Sequence, residues 1–481
     1  MVQKAGVYDG SCQQQIRGQD EAGRRCNTSH RFPERSRCRR QGPSRQACAR
    51  EQHGRWKASK GRPNPLDILH KLDAGRVQEL VPIRYGRMLQ SPFAFFRGTA
   101  GVMAADLART PSTGLYVQAC GDCHLANFGG FATPERHIIF DINDFDETSP
   151  ASWEWDVKRL SASVMLAARS IGLSDATGRD CATAAARGYR EHMREFSRMD
   201  PLAVWYAAIA AEDLMTNAPK SARKRLQRRI DQAATDRGSE LDFPKLAGSI
   251  GGQIRITEQP PLIFHPDAAR APDFLSTLEG ILRTYRDSLA DDRRQLFDRY
   301  RLVDAAIKVV GVGSVGRRCW IVLMMSEANG PLFLQVKEAA QSVLEPYAGK
   351  STYRHHGQRV VMGQRLMQPA SDIFLGWLTG PHDRQFYVRQ LRDAKIKPLI
   401  ETFDADVLEV YAGACGWVLA RAHAKVSEIS ATISGYLGSS SDEFDRAMGR
   451  FAVAYADRAE RDHATLKAAA KNGDINVYLE S

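Results

Sequence analysis

Gly121-Asp122-Cys123-His124-Leu125-Ala126-Asn127-Phe128, followed downstream by Phe140-Asp141-Ile142-Asn143-Asp144-Phe145-Asp146-Glu147, is the stretch on which the reading of this chain turns. The first run sets Asp122 and Asn127 five positions apart in a turn-like segment. The second places carboxylates inside an apolar run, where an acidic side chain is costly unless it is paired or holds a cation. Phosphoryl transfer asks for this layout. One carboxylate, Asp122, orients or deprotonates a hydroxyl nucleophile, while Asn127, Asp144 and Asp146, with Asp141 as a further candidate, offer oxygen ligands to magnesium. His124 is expected to orient the loop by hydrogen bonding. A redox role for the Cys120–Cys123 pair would need a strand-to-helix context that this segment lacks.

A second informative stretch lies much later. A strand-like run at 306–310 is followed by Gly311-Val312-Gly313-Ser314-Val315-Gly316, then by apolar runs at 319–325 and 331–336 joined through Asn329-Gly330. Asn-Gly between such runs signals a hairpin. Glycines let a backbone approach phosphate oxygens, and Lys337, closing the second strand, would neutralise them. A strand rather than a helix follows the glycines, which separates this run from the dinucleotide fingerprint. Glu345, ahead of Glu338, is the candidate carboxylate for holding Lys337. Arg97, Arg365, Arg389 and Arg392 are candidate anion contacts.

GDxHxxN followed by an acidic DF pair resembles the catalytic and metal loops of the aminoglycoside and choline kinase branch of the protein-kinase-like fold. That resemblance implies Asp122 as the catalytic Asp, and Asn127 and Asp144 as metal ligands. It also implies that Asp156, in Trp155-Asp156-Val157-Lys158, braces the catalytic loop. Cys120 stands where the branch usually has His. Gly311, Gly313, Gly316 and Lys337 would then contact ATP. The helix-like run 404–425 is similar to the helix that leads into such a catalytic loop, yet here it lies after the loop. The implied fold is therefore α+β, bilobal, protein-kinase-like and circularly permuted, with a mainly helical large lobe and a small antiparallel-sheet lobe. Ser91-Pro92-Phe93-Ala94-Phe95-Phe96-Arg97-Gly98, Val81–Met88, Gly363–Gln368 and Tyr387–Leu391 are similar to the bacterial DUF2252 family, from about Arg50 to the C-terminus.

The implied activity is an ATP- and Mg2+-dependent phosphotransferase acting on an unknown small-molecule or protein hydroxyl acceptor. A nucleotidyl transferase (AMPylase-like) or a non-catalytic nucleotide-binding module would use the same site.

Composition bounds the rest. The 481 residues suffice for two or three packed units. No apolar run reaches the ~18 residues of a membrane span, nor does the N-terminus carry the apolar core of an export signal. Nine cysteines without a regular framework point to a reducing, cytoplasmic setting. Residues 1–60 hold 14 Lys and Arg against 5 Asp and Glu, an excess of +9 that leaves only +2 of the net +11 for the remaining chain. The expectation is a basic, coreless extension over 1–60, with nucleic-acid contact as its weaker functional reading and a solvated arm as the commoner one. Cys12, Cys26, Cys38 and Cys48 lack zinc-site spacing. The helical large lobe is expected over 61–300, the nucleotide-binding sheet over 301–385 and completing helices over 386–481. Helices are expected at 153–171, 180–198, 202–215 and 273–300, a loop with one short helix at 216–266, and strands at 358–368 and 373–378.

Overall fold

The helix expected over 153–171 forms as Trp153–Ser170 in the computed structural model, which describes residues 48–235, 239–391 and 394–480. Gly172, at φ +79°, ends it in the left-handed conformation that favours glycine. Its residues are buried on nearly every side through Ala168, so it is the axis of the helical part. Around it lie Asp175–Phe196, capped by Ser174, Ala405–Val426, capped by Asp404, and Glu443–Asn472. Two of these approach unusually closely. A Cβ on Gly416 would sit 2.2 Å from the carbonyl oxygen of Ala185, and one on Gly188 would sit 2.5 Å from that of Gly413. Trp153 and Tyr189 stack with ring centroids 5.4 Å apart, tying the central helix to its neighbour.

The other main layer is a six-stranded antiparallel sheet. Its order runs Gly376–Thr379, Gln385–Gln390, Pro331–Glu338, Cys319–Ser326, Tyr300–Lys308, Ile263–Phe264. The hairpin at Asn329-Gly330 forms, with Asn329 at φ 61°. Helices Phe274–Asp287 and Asp291–Phe297 pack Leu282, Tyr285 and Phe297 against the Val322, Leu334 and Val388 face. Shorter antiparallel pairings complete the picture. Tyr116–Ala119 pairs with Ser149–Ser152, Phe128–Ala132 with Ile138–Ile142, and Ala247–Ile250 with Gln253–Ile256. The architecture is mixed α+β, mostly helical, with antiparallel sheets.

Several expectations need correction. Residues 358–368 are a helix, His356–Met367, not a strand. The Val360-Val361 pair suggests a strand, but the buried set Val360, Gln364 and Met367 follows helical spacing. The span 202–215 divides into Pro201–Tyr206, Ile209–Ala210 and Ala211–Asn217. The span 216–266 is richer than a loop, with helices Lys220–Thr235 and Ser239–Leu246 ahead of its hairpin. The sheet crosses both expected boundaries, because strands Ile263–Phe264 and Gln385–Gln390 belong to it, and Ala47–Ser481 form one compact unit.

The expectation for residues 1–47, with Cys12, Cys26 and Cys38, falls outside the described residues. Residues 48–60, however, join the body. His53 is buried against Tyr436 and Phe444, and Trp56 meets Phe451 and Tyr455. Deleting residues 1–47 is expected to leave Tm unchanged within error, because that composition lacks a core. Extending the deletion to Lys60 should lower Tm by several degrees, since it strips those aromatic contacts. Thermal unfolding of the two truncated chains reads both, and a large drop in the first would reject the coreless reading. Among the described residues, no helix is long and apolar enough to cross a membrane.

Candidate functional site

The chain leaves strand Tyr116–Ala119 and turns at Gly121, whose φ is +82° and whose absent Cβ would fall 2.3 Å from the Glu147 carbonyl oxygen. The Asp156 carboxylate, in the first turn of the central helix, accepts the backbone N–H of Cys120 at 2.6 Å and of Gly121 at 3.0 Å. Asp156 thus holds the turn just before Asp122 through two backbone N–H groups. His423 Nε2 lies 3.2 Å from the same carboxylate, and His423 Nδ1 lies 2.9 Å from the Tyr189 hydroxyl. A histidine from the 405–426 helix thus supports the loop from below, while Cys120 occupies the position where the resemblance implies one. Cys120 and Cys123 are free and buried, and burial raises the Cys123 thiol well above its ordinary range, which disfavours redox chemistry.

Asp122 accepts a hydrogen bond from Arg159 Nε at 2.6 Å. Arg159 is itself stacked over Phe96, 4.4 Å from the ring centroid. Burial raises the Asp122 pKa, opposed first by Arg159 and then by Arg97. Asn127 donates through Nδ2 to the Asp122 carbonyl at 2.7 Å, so its side-chain oxygen is the atom left to face a ligand. The Asn127 carbonyl accepts from Asn143 N at 2.8 Å, which fastens this loop to the acidic one.

In the acidic loop, Asp144 and Asp146 converge on Lys337, which is 3.7 Å from Asp144 and in direct contact with Asp146. Tyr387 donates to Asp146 Oδ1 at 2.7 Å, and Ser314 of the glycine run donates to Asp146 Oδ2 at 3.3 Å. Burial opposes the charge on Lys337, but Asp144 and Asp146 together push its pKa well above the ordinary lysine range. Burial likewise works against ionised Asp146, yet Lys337 and the Tyr387 hydrogen bond hold it below the usual carboxylate range. Asp144 goes the other way, raised by burial and by Asp146 beside it. The two neighbouring carboxylates are thus buried and paired with a lysine rather than solvated.

The glycine run is held from outside the sheet. Arg76 donates to the carbonyls of Val315 and Gly313, and Val77 N donates to that of Gly316 at 2.8 Å. Gly316 has φ +85°, and a Cβ there would press on the Arg76 side chain at 3.0 Å. Gly311 is open on its Cα side.

The structure reassigns several candidates. Glu345 does not hold Lys337: it lies 3.9 Å from Arg359 and accepts from Gln341. Glu338 pairs with Arg318. The strand ends at 338 and the chain turns away, so neither carboxylate points back to the lysine. Asp141 is no metal candidate, being fully buried against Arg421. Arg365 donates to the Leu375 carbonyl, a structural role. Arg389 is at the site, donating to Gln335 at 2.9 Å and to the Asn143 carbonyl at 3.3 Å. Arg392 lies outside the described residues. Among the described residues, no group of three or more His, Cys, Asp or Glu is placed to hold a metal ion, so a magnesium site here would rest on Asp144, Asp146 and the Asn127 oxygen.

Sequence reasoning assigned no role to Arg159, His423, Tyr387 or Arg359. Arg359, on the helix misread as a strand, donates to the carbonyls of Asp146, Thr148 and Ala340, pinning the acidic loop to the sheet. A basic residue inside an otherwise buried helical face was the available signal. Lys395 was missed as well. It lines a small cleft with Asn143, Gln364, Asp372 and Arg389, and burial together with Arg389 lowers its pKa to about 7. A larger, mainly apolar cleft lies against the 128–142 hairpin between Leu226, Ile230, Phe403 and Val407, and includes none of these site residues.

Residues 76–469 match the model of a family described as an uncharacterized protein conserved in bacteria, DUF2252. The chain belongs to the DUF2252 family. The DUF2252 span begins at Arg76, which clasps the glycine run, and takes in every site residue named above from Arg97 to His423. No curated protein matches the chain, and no solved structure does.

Proposed function

We propose that this protein is an ATP- and magnesium-dependent phosphotransferase whose site follows the protein-kinase plan in circularly permuted order. One observation carries the reading: Lys337, at the end of a strand beside a glycine run, meets Asp144 and Asp146 of a loop nearly two hundred residues earlier. The Ser314 contact to Asp146 brings the glycine run to the same point. The 405–426 helix supports this arrangement by lying under the 121–127 loop, with Tyr411 donating to the Phe128 carbonyl at 2.9 Å and His423 on Asp156.

In this reading Asp122, oriented by Arg159, receives or directs the acceptor hydroxyl. Burial raises its pKa, which makes the ionised carboxylate a stronger base. Lys337 leaves its carboxylate partners to contact the α- and β-phosphates, under the 311–316 loop. The oxygen-only set of Asp144, Asp146 and Asn127 suits a hard cation, and magnesium there would neutralise phosphate charge. Closure of sheet and helices over the site would exclude water from the transfer.

Mg-ATP is expected to stabilise the protein by about 2.7 kcal/mol at a hundred times its Kd. Asp144→Ala should abolish the magnesium dependence of that shift. Differential scanning fluorimetry with ATP, with and without magnesium, checks it. A shift unchanged in the variant would remove Asp144 from the metal site. Label transfer from γ- and α-labelled ATP then distinguishes phosphoryl from nucleotidyl transfer.

A further inference from the structure

Arg97 stands apart from the other arginines of this protein. Several have a buried Nε without a hydrogen-bond partner, among them Arg76, Arg84, Arg359 and Arg421, but each of those is anchored through the other guanidinium nitrogens. Arg97 also has a buried, unpartnered Nε, and among the described residues no hydrogen bond or ion pair holds the rest of its guanidinium. It sits at the end of helix Pro92–Arg97, and its carbonyl oxygen lies 3.6 Å from where a Cβ of Gly313 would be, under the glycine run. Its charge is felt by Asp122 and His124, yet no carboxylate lies within 4 Å of it.

His124 is the second observation. The ring is 4% exposed, and its Nδ1 is buried without a hydrogen-bond partner, while Nε2 is 3.9 Å from Asp122. Burial, Arg97 and Arg159 keep it neutral. A neutral imidazole can carry its proton on either nitrogen, and an oxyanion at Nδ1 would select the tautomer in which Nδ1 donates. Arg97, Arg159 and Asp122 together leave one positive charge uncompensated beside the catalytic loop, in a setting where unpaired buried donors are rare.

We propose that Arg97, with His124 Nδ1 beside it, is the seat of a phosphate-type oxyanion next to Asp122. The guanidinium fork matches such an anion in two parallel hydrogen bonds, which an ammonium does not do. Two sources share this chemistry: the γ-phosphoryl group of the nucleotide, and a phosphate carried by the acceptor. The inference deepens the phosphotransferase reading and rests on it for its place in the reaction, although the seat itself is a binding claim.

The test is equilibrium binding of radiolabelled inorganic phosphate, Mg-ADP and Mg-ATP to the full chain and to its Arg97→Gln and Arg97→Lys variants. The wild-type protein should bind phosphate, and Arg97→Gln should weaken that at least tenfold, with Mg-ADP affinity changed less than twofold. Arg97→Lys keeps charge and stem, so it reads the lost fork even if Arg97→Gln fails to fold. If the seat takes the γ-phosphoryl group, Arg97→Gln also weakens Mg-ATP, and Mg-ATP displaces phosphate. If it takes an acceptor phosphate, Mg-ATP affinity holds and phosphate binds alongside it. Absence of phosphate binding at millimolar concentration, or equal binding by all three proteins, overturns the seat. Arg97-dependent phosphate binding without any nucleotide binding would leave the seat standing and refute the phosphotransferase reading.

Discussion

Asp141→Ala is expected to destabilise the protein by about 3–5 kcal/mol, the cost of leaving a buried charge without its partner. Asp141 and Arg421 are both fully buried and in direct contact. Asp141 Oδ1 also accepts from Ile142 N at 2.7 Å, and Arg421 donates to the Met367 carbonyl. Burial pushes the Asp141 pKa up and the Arg421 pKa down, and each is opposed by the other's charge. Removing the carboxylate therefore strands a guanidinium in the helical core. The paired change Asp141→Leu with Arg421→Met should recover much of the loss, since buried ion pairs are often replaceable by apolar groups of similar volume. Denaturant unfolding of the single and double variants measures both. A loss below about 1 kcal/mol for Asp141→Ala would mean that water or another group compensates Arg421. The same variant should leave any magnesium dependence intact, in contrast to Asp144→Ala.

Asp122→Asn should lower ATP turnover by about 10²–10⁴-fold, the usual contribution of a positioned proton acceptor. That is about 3–5 kcal/mol of barrier. Asparagine keeps the shape that Arg159 orients, and it leaves Lys337, Asp144 and Asp146 untouched, so Mg-ATP affinity should stay within about twofold of wild type. Rates of γ-phosphate transfer or release, measured beside nucleotide affinity, separate the two quantities. Collapsed affinity with surviving turnover would make Asp122 a binding residue.

The readable parts of this molecule are those encoded locally. Asn329-Gly330 announces its hairpin because a positive φ needs such residues, and Gly172 ends its helix for the same reason. Asp156 is singled out by the resemblance to the kinase branch, and the structure sets it against the backbone of Cys120 and Gly121. Lys337 is reachable because a strand-end lysine beside a glycine run is a local pattern, and the structure sets it against Asp144. What escapes is long-range pairing. Nothing near Glu345 reveals that the chain turns it toward Arg359, and nothing near Asp141 reveals Arg421. The helix His356–Met367 escapes for another reason: two adjacent valines suggest a strand, and its buried face carries Arg359 and Gln364 where an apolar stripe is sought.

The order in which the partners occur along the chain bears on how the protein is made. Asp141 finds Arg421 280 positions later, Asp156 finds His423 267 positions later, and Asp146 finds Tyr387 241 positions later. Synthesis from the N-terminal side exposes the acidic partners first, and the cations and donors that meet them emerge only 241 to 280 positions later. Until then, Asp141 and Asp156 have water and nearby backbone N–H groups but not the side chains that pair with them in the folded protein. The acidic segment is therefore sealed from outside its own stretch of chain, by residues 387–423, which arrive long after it.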